Sequence, residues 1–309
     1  MPLTLRLSAI TLVACIGLAT TVFAAETPTQ KTFASADAAV AAVVDDLKSD
    51  NLNDLMAIFG PGAERLLSSG DPVADHQARE RFVANYDDAH RLEETEGGAI
   101  LVIGKEDWPV PIPLRKIGDL WSFDTEAGEQ QIVDRRIGRN ELDTIQTMLA
   151  YVDAQRDYAD WTRQQTGTAE YAQRLLGRPG KRDGLYWPAK AGEPESPMGP
   201  LVAEAQKEGY RRSAAPRGRT AYHGYYFKVL TGQGENAPGG AADYIVRGKM
   251  IGGFGLVAWP AQYGDSGVMT FIVNHDGTVY QKNLGPETAA LAEAMTRYDP
   301  DPSWQKAEP

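Results

Sequence analysis

The residues best suited to chemistry are one histidine and two carboxylates that stand beside breaks in the pattern of helices and strands. His223 adjoins a glycine and a group of tyrosines, Asp183 lies in a loop bounded by prolines, and Asp265 belongs to the motif GDSG. An imidazole and carboxylates are the side chains most used for general acid–base catalysis. The three residues are therefore candidate catalytic residues of a hydrolase.

Each candidate also has a structural interpretation. The motif GDSG is found around the nucleophile of trypsin-like proteases, but Val268 stands where their second glycine is needed, so a tight turn before a strand explains it. His223 can be explained as a residue that packs against its neighbours or caps an element. Asp183, beside Lys181 and Arg182, fits a salt bridge that pins its loop to the central helix.

Other chemistries find little support in the sequence. The four histidines show no pairing at metal-ligand spacing, so we expect no metal site. Gly232-Gln233-Gly234 imitates a dinucleotide-binding motif, but a Pro-Gly-Gly sequence follows where a helix should start. We expect no cofactor.

Aromatic residues suggest a binding surface instead. Tyr186 and Trp187 lie in the proline-rich loop, while Tyr222 precedes a predicted strand and Tyr225 begins it. Aromatic rings of this kind can stack on a glycan or pack against a peptide. The alternative is that Tyr225 alternates into the core of a sheet.

The first 24 residues have the composition of an export signal. Arg6 is followed by an apolar run, and Val22-Phe23-Ala24 fits a cleavage site, which predicts a periplasmic or extracellular protein. A rival interpretation is a lipoprotein that is anchored through Cys15, the only cysteine. Either route gives a mature chain without disulfides.

The net charge of −11 limits the possible partners. An acidic surface disfavours nucleic acid and anionic membranes. We predict no membrane span in the mature chain, and the sequence does not indicate an oligomeric state. A protein or another surface component of the cell envelope remains the expected partner.

The elements that must position these residues are organised around a long helix. Apolar residues recur at helical spacing over residues 135–161, with Gly167 as the stop. Before this helix, the pattern predicts three helices, which start at Ser35, at Asp50 or Asn51, and at Asp71. It also predicts strands at 99–103, 110–114 and 120–123. The sequence thus predicts an α+β fold with an N-terminal domain over 25–134 and a second domain over 135–309.

After the central helix, we predict a short helix at 170–176, a breaker-rich loop at 177–200 and a helix at 201–210. The remainder favours an antiparallel sheet, with a loop predicted at 232–240 and strands predicted at 225–230, 243–246, 253–258, 268–274 and 279–282. A closing helix follows at 286–295, and we expect the tail from Asp299 to be frayed.

Several long phrases identify a family resemblance. RRIGRNE, YVDAQRDYA, GKRDGLYWP, YHGYYFKVLTGQG and MIGGFGLVAWPAQYGDSGVMTFIVN begin at residues 135, 151, 180, 222 and 250. Together they resemble the bacterial exported family known as domain-of-unknown-function family 2950, over essentially the whole mature chain. The resemblance implies an exported bacterial protein and gives no catalytic residues.

The C-terminal part also resembles the head domains of pilins, in which a helix is followed by a sheet. The N-terminus departs from that pattern because it lacks the prepilin cleavage site. The favoured function is a non-enzymatic envelope module that binds through the Tyr-rich half. The alternatives are a hydrolase around Asp183, His223 and Asp265, and a small-ligand site near Trp108 and Trp121 in the N-terminal domain.

Overall fold

The computed structural model describes residues 30–190, 192–211 and 220–308. The predicted export signal and Cys15 lie outside these residues, as does most of the basic stretch 211–219. The described chain has the predicted α+β fold: a helical N-terminal half with a small sheet, a long central helix, and a C-terminal half rich in antiparallel sheet.

Four helices build most of the N-terminal half, and local capping explains where they start. Ser35 and Asn51 cap the first two helices, and Asp71 caps the fourth with a proline at its first position. The helices are α1 (Ala36–Lys48), α2 (Leu52–Phe59), α3 (Ala63–Leu67) and α4 (Pro72–Asp88).

A five-stranded sheet packs on these helices. Its strands are β1 (His90–Thr95), β2 (Gly98–Ile103), β3 (Trp108–Pro109), β4 (Leu114–Ile117) and β5 (Leu120–Phe123), in the order β1-β2-β4-β5 with β3 also on β2. Strand β1 was not predicted, because Leu92 is the only apolar residue among its six and gives no alternating pattern. The strand predicted at 110–114 is wrong: prolines interrupt it, and pairing resumes only at Leu114.

The apolar faces of α1 and α2 close this half against β2 and β5. Trp108 and Trp121 lie at the margin of the core. The guanidinium of Arg135 sits over the Trp108 ring at 5.4 Å, and the Lys116 ammonium over the Trp121 ring at 6.0 Å. Cations therefore cover the two rings that the sequence suggested for a ligand.

The central helix α5 (Thr125–Thr166) is 42 residues long and ends at Gly167 in the left-handed conformation, as predicted. It starts ten residues earlier than predicted, so the expected domain boundary at 134/135 falls inside it. The Thr125 hydroxyl donates to the carbonyl of Phe59 in the N-terminal half. Farther along, the fully buried Tyr151 donates to the carbonyl of Gly255 in the C-terminal half. Helix α5 therefore contributes to both cores.

The helix predicted at 170–176 does not form. The side-chain amide of Gln155 on α5 binds both backbone groups of Ala172 at 2.8 Å, and Tyr171 pairs with Met250. These partners satisfy the backbone in an extended conformation, so helical bonds are not needed. The predicted helix at 201–210 is present as α6 (Gly199–Lys207).

After α6, the C-terminal half consists of β6 (Tyr225–Leu230), β7 (Gly232–Gln233), β8 (Ala242–Asp243), β9 (Ile245–Val246), β10 (Lys249–Met250), β11 (Gly255–Pro260), β12 (Met269–Asn274), β13 (Tyr280–Asn283), α7 (Thr288–Ala294), β14 (Arg297–Tyr298) and β15 (Gln305–Lys306). Five of these strands form a second large sheet with the order β15-β13-β12-β11-β6, and the others form two smaller sheets. All six residues of β11 are buried, because α5 packs on one face and α7 on the other.

The prediction of a frayed tail is wrong. Strand β15 pairs with β13, and Trp304 and Ala307 are buried. Asp299, where the predicted tail begins, accepts two hydrogen bonds from Asn236. The end of the described chain is thus an edge strand of the sheet.

Candidate functional site

The carboxylate of Asp183 forms its hydrogen bonds within its own loop. Its carboxylate accepts a 2.8 Å hydrogen bond from the Arg178 backbone and a second from the Arg178 side chain. The backbone hydrogen bond is the main cause that holds the pKa of Asp183 below its ordinary value. The ion pair lies within the loop, and the loop reaches α5 through another group: the carbonyl of Arg182 accepts from the Tyr158 hydroxyl.

Asp265 joins the two halves of the molecule. Its carboxylate accepts from Nε of Arg65 at 2.7 Å, while the same guanidinium donates to Glu129 at 2.7 Å. The hydroxyl of Ser266 bonds to the backbone of Gln262, and the amide of Gly264 donates to the carbonyl of Gly267 to close a turn. The motif GDSG is therefore a tight turn that ion-pairs with the N-terminal half.

His223 lies between carboxylates from two elements. Its Nδ1 is 3.5 Å from Asp143 on α5, and its Nε2 is 3.4 Å from Glu208, just after α6. His223 and Gly224 both have positive φ, of 49° and 74°, and Tyr222 and Tyr225 exchange backbone hydrogen bonds around them. This arrangement is a two-residue turn, in which any residue other than glycine at positive φ is uncommon.

The three catalytic candidates do not form one constellation. His223 and the GDSG turn lie near each other, because Asn140 on α5 donates to the Ser266 carbonyl and also abuts Gly224. The loop of Asp183 contacts α5 at Tyr158, fifteen positions beyond Asp143. At ~1.5 Å per residue, this separation is roughly 22 Å. Asp183 therefore cannot act with His223.

A buried carboxylate next to His223 was missed by the sequence reading. Asp71 is 1% exposed and accepts hydrogen bonds from the Tyr210 hydroxyl and the Gly224 amide, both at 2.9 Å, as well as from Ala74. Sequence reasoning assigned Asp71 only the role of a helix cap. Its second role depends on a tyrosine 139 positions away, which no local pattern could indicate.

The aromatic candidates divide by exposure. Tyr225 is fully buried, and Trp187 is 5% exposed and packs against Trp161 with ring centroids 5.3 Å apart. Tyr186 and Tyr222 are partly exposed. Burial is the main cause that raises the pKa of both Tyr222 and Tyr225, so their hydroxyls stay protonated at neutral pH. A ligand could contact Tyr186 and Tyr222 in this conformation.

The C-terminal half also has an open polar depression of about 520 Å³, which the sequence reading treated as a loop and a tail. It lies where β7, β8 and β14 meet, and its walls include Glu235, Asn236, Asp243, Arg297 and Asp299. A volume between about 300 and 1,000 Å³ is typical of small-molecule sites. We call this feature the polar depression.

Two further observations bear on possible sites. Within residues 30–190, 192–211 and 220–308, no three His, Cys, Asp or Glu side chains are grouped so that they could hold a metal ion. Over the same residues, no helix combines the length and apolar character needed to cross a membrane.

The fold and these sites define an α+β protein in which one helix serves two cores and buried polar contacts join the halves. The chain belongs to a family described as protein of unknown function (DUF2950), whose model matches residues 30–307. Comparison with curated proteins and with solved structures finds no significant match.

Proposed function

We propose that this chain is an exported protein of the bacterial cell envelope that binds a partner without catalysing a reaction, and that its C-terminal half carries the binding surface. The polar depression carries this proposal. It is the right size for a ligand, whereas Asp183 and Asp265 are engaged in ion pairs with arginines. The partly exposed Tyr186 and Tyr222 extend the possible binding surface of the same half.

Export is the first part to test. The full chain, expressed in a Gram-negative host with a C-terminal tag, should appear in the periplasm with Ala25 as its first residue. Recovery in the membrane fraction with a lipid on Cys15, abolished by Cys15→Ser, would establish the lipoprotein route instead. An unprocessed chain in the cytoplasm would overturn the proposal of export.

Binding is the second part. Purified mature protein should sediment with isolated cell envelopes and release no soluble fragments detectable by mass spectrometry. Failure to sediment would contradict the binding role. A head-like module, as in pilins, is one form that such a binding protein could take, and crosslinking in intact cells would identify its neighbour.

A hydrolase is the second candidate, favoured by the position of His223 between Asp143 and Glu208. An imidazole that faces a carboxylate can accept a proton from water near neutral pH. If this function is correct, release of envelope fragments should be abolished by His223→Gln and unaffected by Asp183→Asn. The ligand site near Trp108 and Trp121 is a weaker third proposal, because cations already lie over both rings.

A further inference from the structure

The walls of the polar depression are fixed by hydrogen bonds within the protein. Oδ1 of Asp299 accepts from both the backbone and the side-chain nitrogen of Asn236, at 2.9 and 3.1 Å. Gly234 passes so close to Asp299 that a Cβ there would overlap the carboxylate. The Asp299 side chain is therefore held in place before any ligand arrives, which lowers the entropic cost of binding.

Arg297 supplies a positive charge to the wall of the polar depression, in contrast to the negative charge of Asp299. Its Nη1 donates to the carbonyls of Gln233 and Ala242 at 2.9 and 3.2 Å, and its Nη2 donates to Asp243 at 2.6 Å. A guanidinium has five N–H groups. Within the part of the chain that the structure describes, two of them, one on Nε and one on Nη2, donate to no protein acceptor, and arginine N–H groups of this kind bind a carboxylate well.

Two acidic groups also remain for a ligand. Among the described residues, Oδ2 of Asp299 accepts no hydrogen bond and Glu235 takes part in no ion pair. The depression thus presents a fixed cation, with N–H groups to spare, and carboxylate oxygens that lack partners. This combination complements a ligand that carries both charges.

We propose that the polar depression binds a small zwitterion with a free α-ammonium and a free α-carboxylate, either a single amino acid or a short peptide with both termini unblocked. Arg297 binds the ligand carboxylate, and Asp299 with Glu235 binds its ammonium group. The volume of about 520 Å³ accommodates an amino acid or a small peptide. This inference rests on the proposed binding function and specifies its ligand class.

Isothermal titration of the mature protein tests the inference. The probes are the standard amino acids in L and D forms and a set of dipeptides, each with an N-acetylated and a C-amidated derivative. At least one unblocked probe should bind, and each blocking group should weaken its binding about tenfold or more, since each removes one charge-assisted contact. Preference for free amino acids or for dipeptides identifies the source of the zwitterion.

Two variants locate the binding. Asp299→Asn keeps the Oδ1 acceptor for Asn236 but removes the charge, so it should bind the unblocked probe about tenfold more weakly and lose sensitivity to N-acetylation. Asp160→Asn, on the exposed surface of α5, is the matched control and should bind like the wild type. Arg297→Gln, which removes the positive charge, should lose the discrimination against the C-amidated probe.

The inference is overturned if no probe binds, if blocked and unblocked probes bind equally, or if Asp299→Asn binds like the wild type. Envelope sedimentation separates this failure from a failure of the proposed function. If the protein sediments with envelopes but binds no zwitterion, the proposed binding role stands and this ligand class is wrong. If the protein binds a zwitterion but does not sediment, the ligand site stands and the envelope role is wrong.

Discussion

The hydroxyl of Tyr210 donates a 2.9 Å hydrogen bond to the carboxylate of Asp71, which is buried between the two halves. The same Asp71 oxygen accepts from the amide of Gly224, beside the strained His223. One carboxylate thus links the start of α4, Tyr210 three residues beyond α6, and the turn before β6. A buried carboxylate costs stability unless such donors compensate for the lost water.

Tyr210→Phe should lower the free energy of unfolding by about 2 kcal/mol, because it removes one donor from a buried carboxylate without changing the packing. Urea denaturation measures the change. Tyr263→Phe is the matched control, since its hydroxyl bonds to Asn283 in an exposed position and its loss should cost less than about 0.5 kcal/mol. Equal losses in the two variants would show that Asp71 does not depend on Tyr210.

Gly224→Ala should destabilise the protein far more than alanine at another left-handed glycine. A Cβ at Gly224 would lie 2.5 Å from Nδ2 of Asn140 and 3.0 Å from Cβ of Ser266. Gly118 also has positive φ, but a Cβ there meets nothing within 4 Å, so Gly118→Ala carries the backbone cost alone. Overpacking should add about 2 kcal/mol to the cost at Gly224. Thermal unfolding of both variants provides the comparison, and similar melting temperatures would contradict it.

Stability should fall at alkaline pH. Burial raises the pKa of Tyr158 to about 12 and that of Tyr244 to about 12, while tyrosines in an unfolded chain titrate near pH 10. The raised pKa adds stability that is fully present below pH 10 and is lost as the pH rises toward 12, because the unfolded chain releases its protons first.

Denaturation series between pH 9 and 11.5 should therefore show a falling free energy of unfolding. The slope should be shallower in Tyr158→Phe, even though that variant also loses the hydrogen bond to the carbonyl of Arg182. Slopes that are identical in the two proteins would mean that Tyr158 does not contribute to the alkaline transition.

Asp265→Asn distinguishes a structural from a catalytic carboxylate. Its partner Arg65 is partly exposed and keeps Glu129, so the loss should cost no more than about 1 kcal/mol in the free energy of unfolding. Binding to envelopes should not change. If the variant instead abolished the release of envelope fragments by an otherwise stable protein, the turn would have a catalytic role.

The sequence predicts the elements that carry strong local signals. Ser35 and Gly167 mark helix ends correctly, Asn51 is one of the two starts predicted for α2, and strands β5 and β6 have the predicted bounds. Errors arise where a distant partner decides the conformation or where the local pattern is weak. The segment 170–176 is held extended by the side-chain amide of Gln155, and β1 has a single apolar residue, Leu92.

The candidate sites follow the same rule. That GDSG forms a turn was predictable from its glycines, but its contact with Arg65 depends on a residue 200 positions away. The polar depression joins a predicted loop to a tail predicted to be frayed. Trp304 was the available signal, because a tryptophan rarely remains in an exposed tail.

Helix α5 has a consequence for how this chain can be divided. Its first turn bonds to the N-terminal half, and its later turns fill the core of the C-terminal half. If the chain were divided at the predicted boundary of 134/135, helix α5 would be split between the two fragments. Each fragment would then have a hydrophobic core that lacks part of its packing. We therefore expect that neither half folds without the other, because each needs part of the same helix for its core.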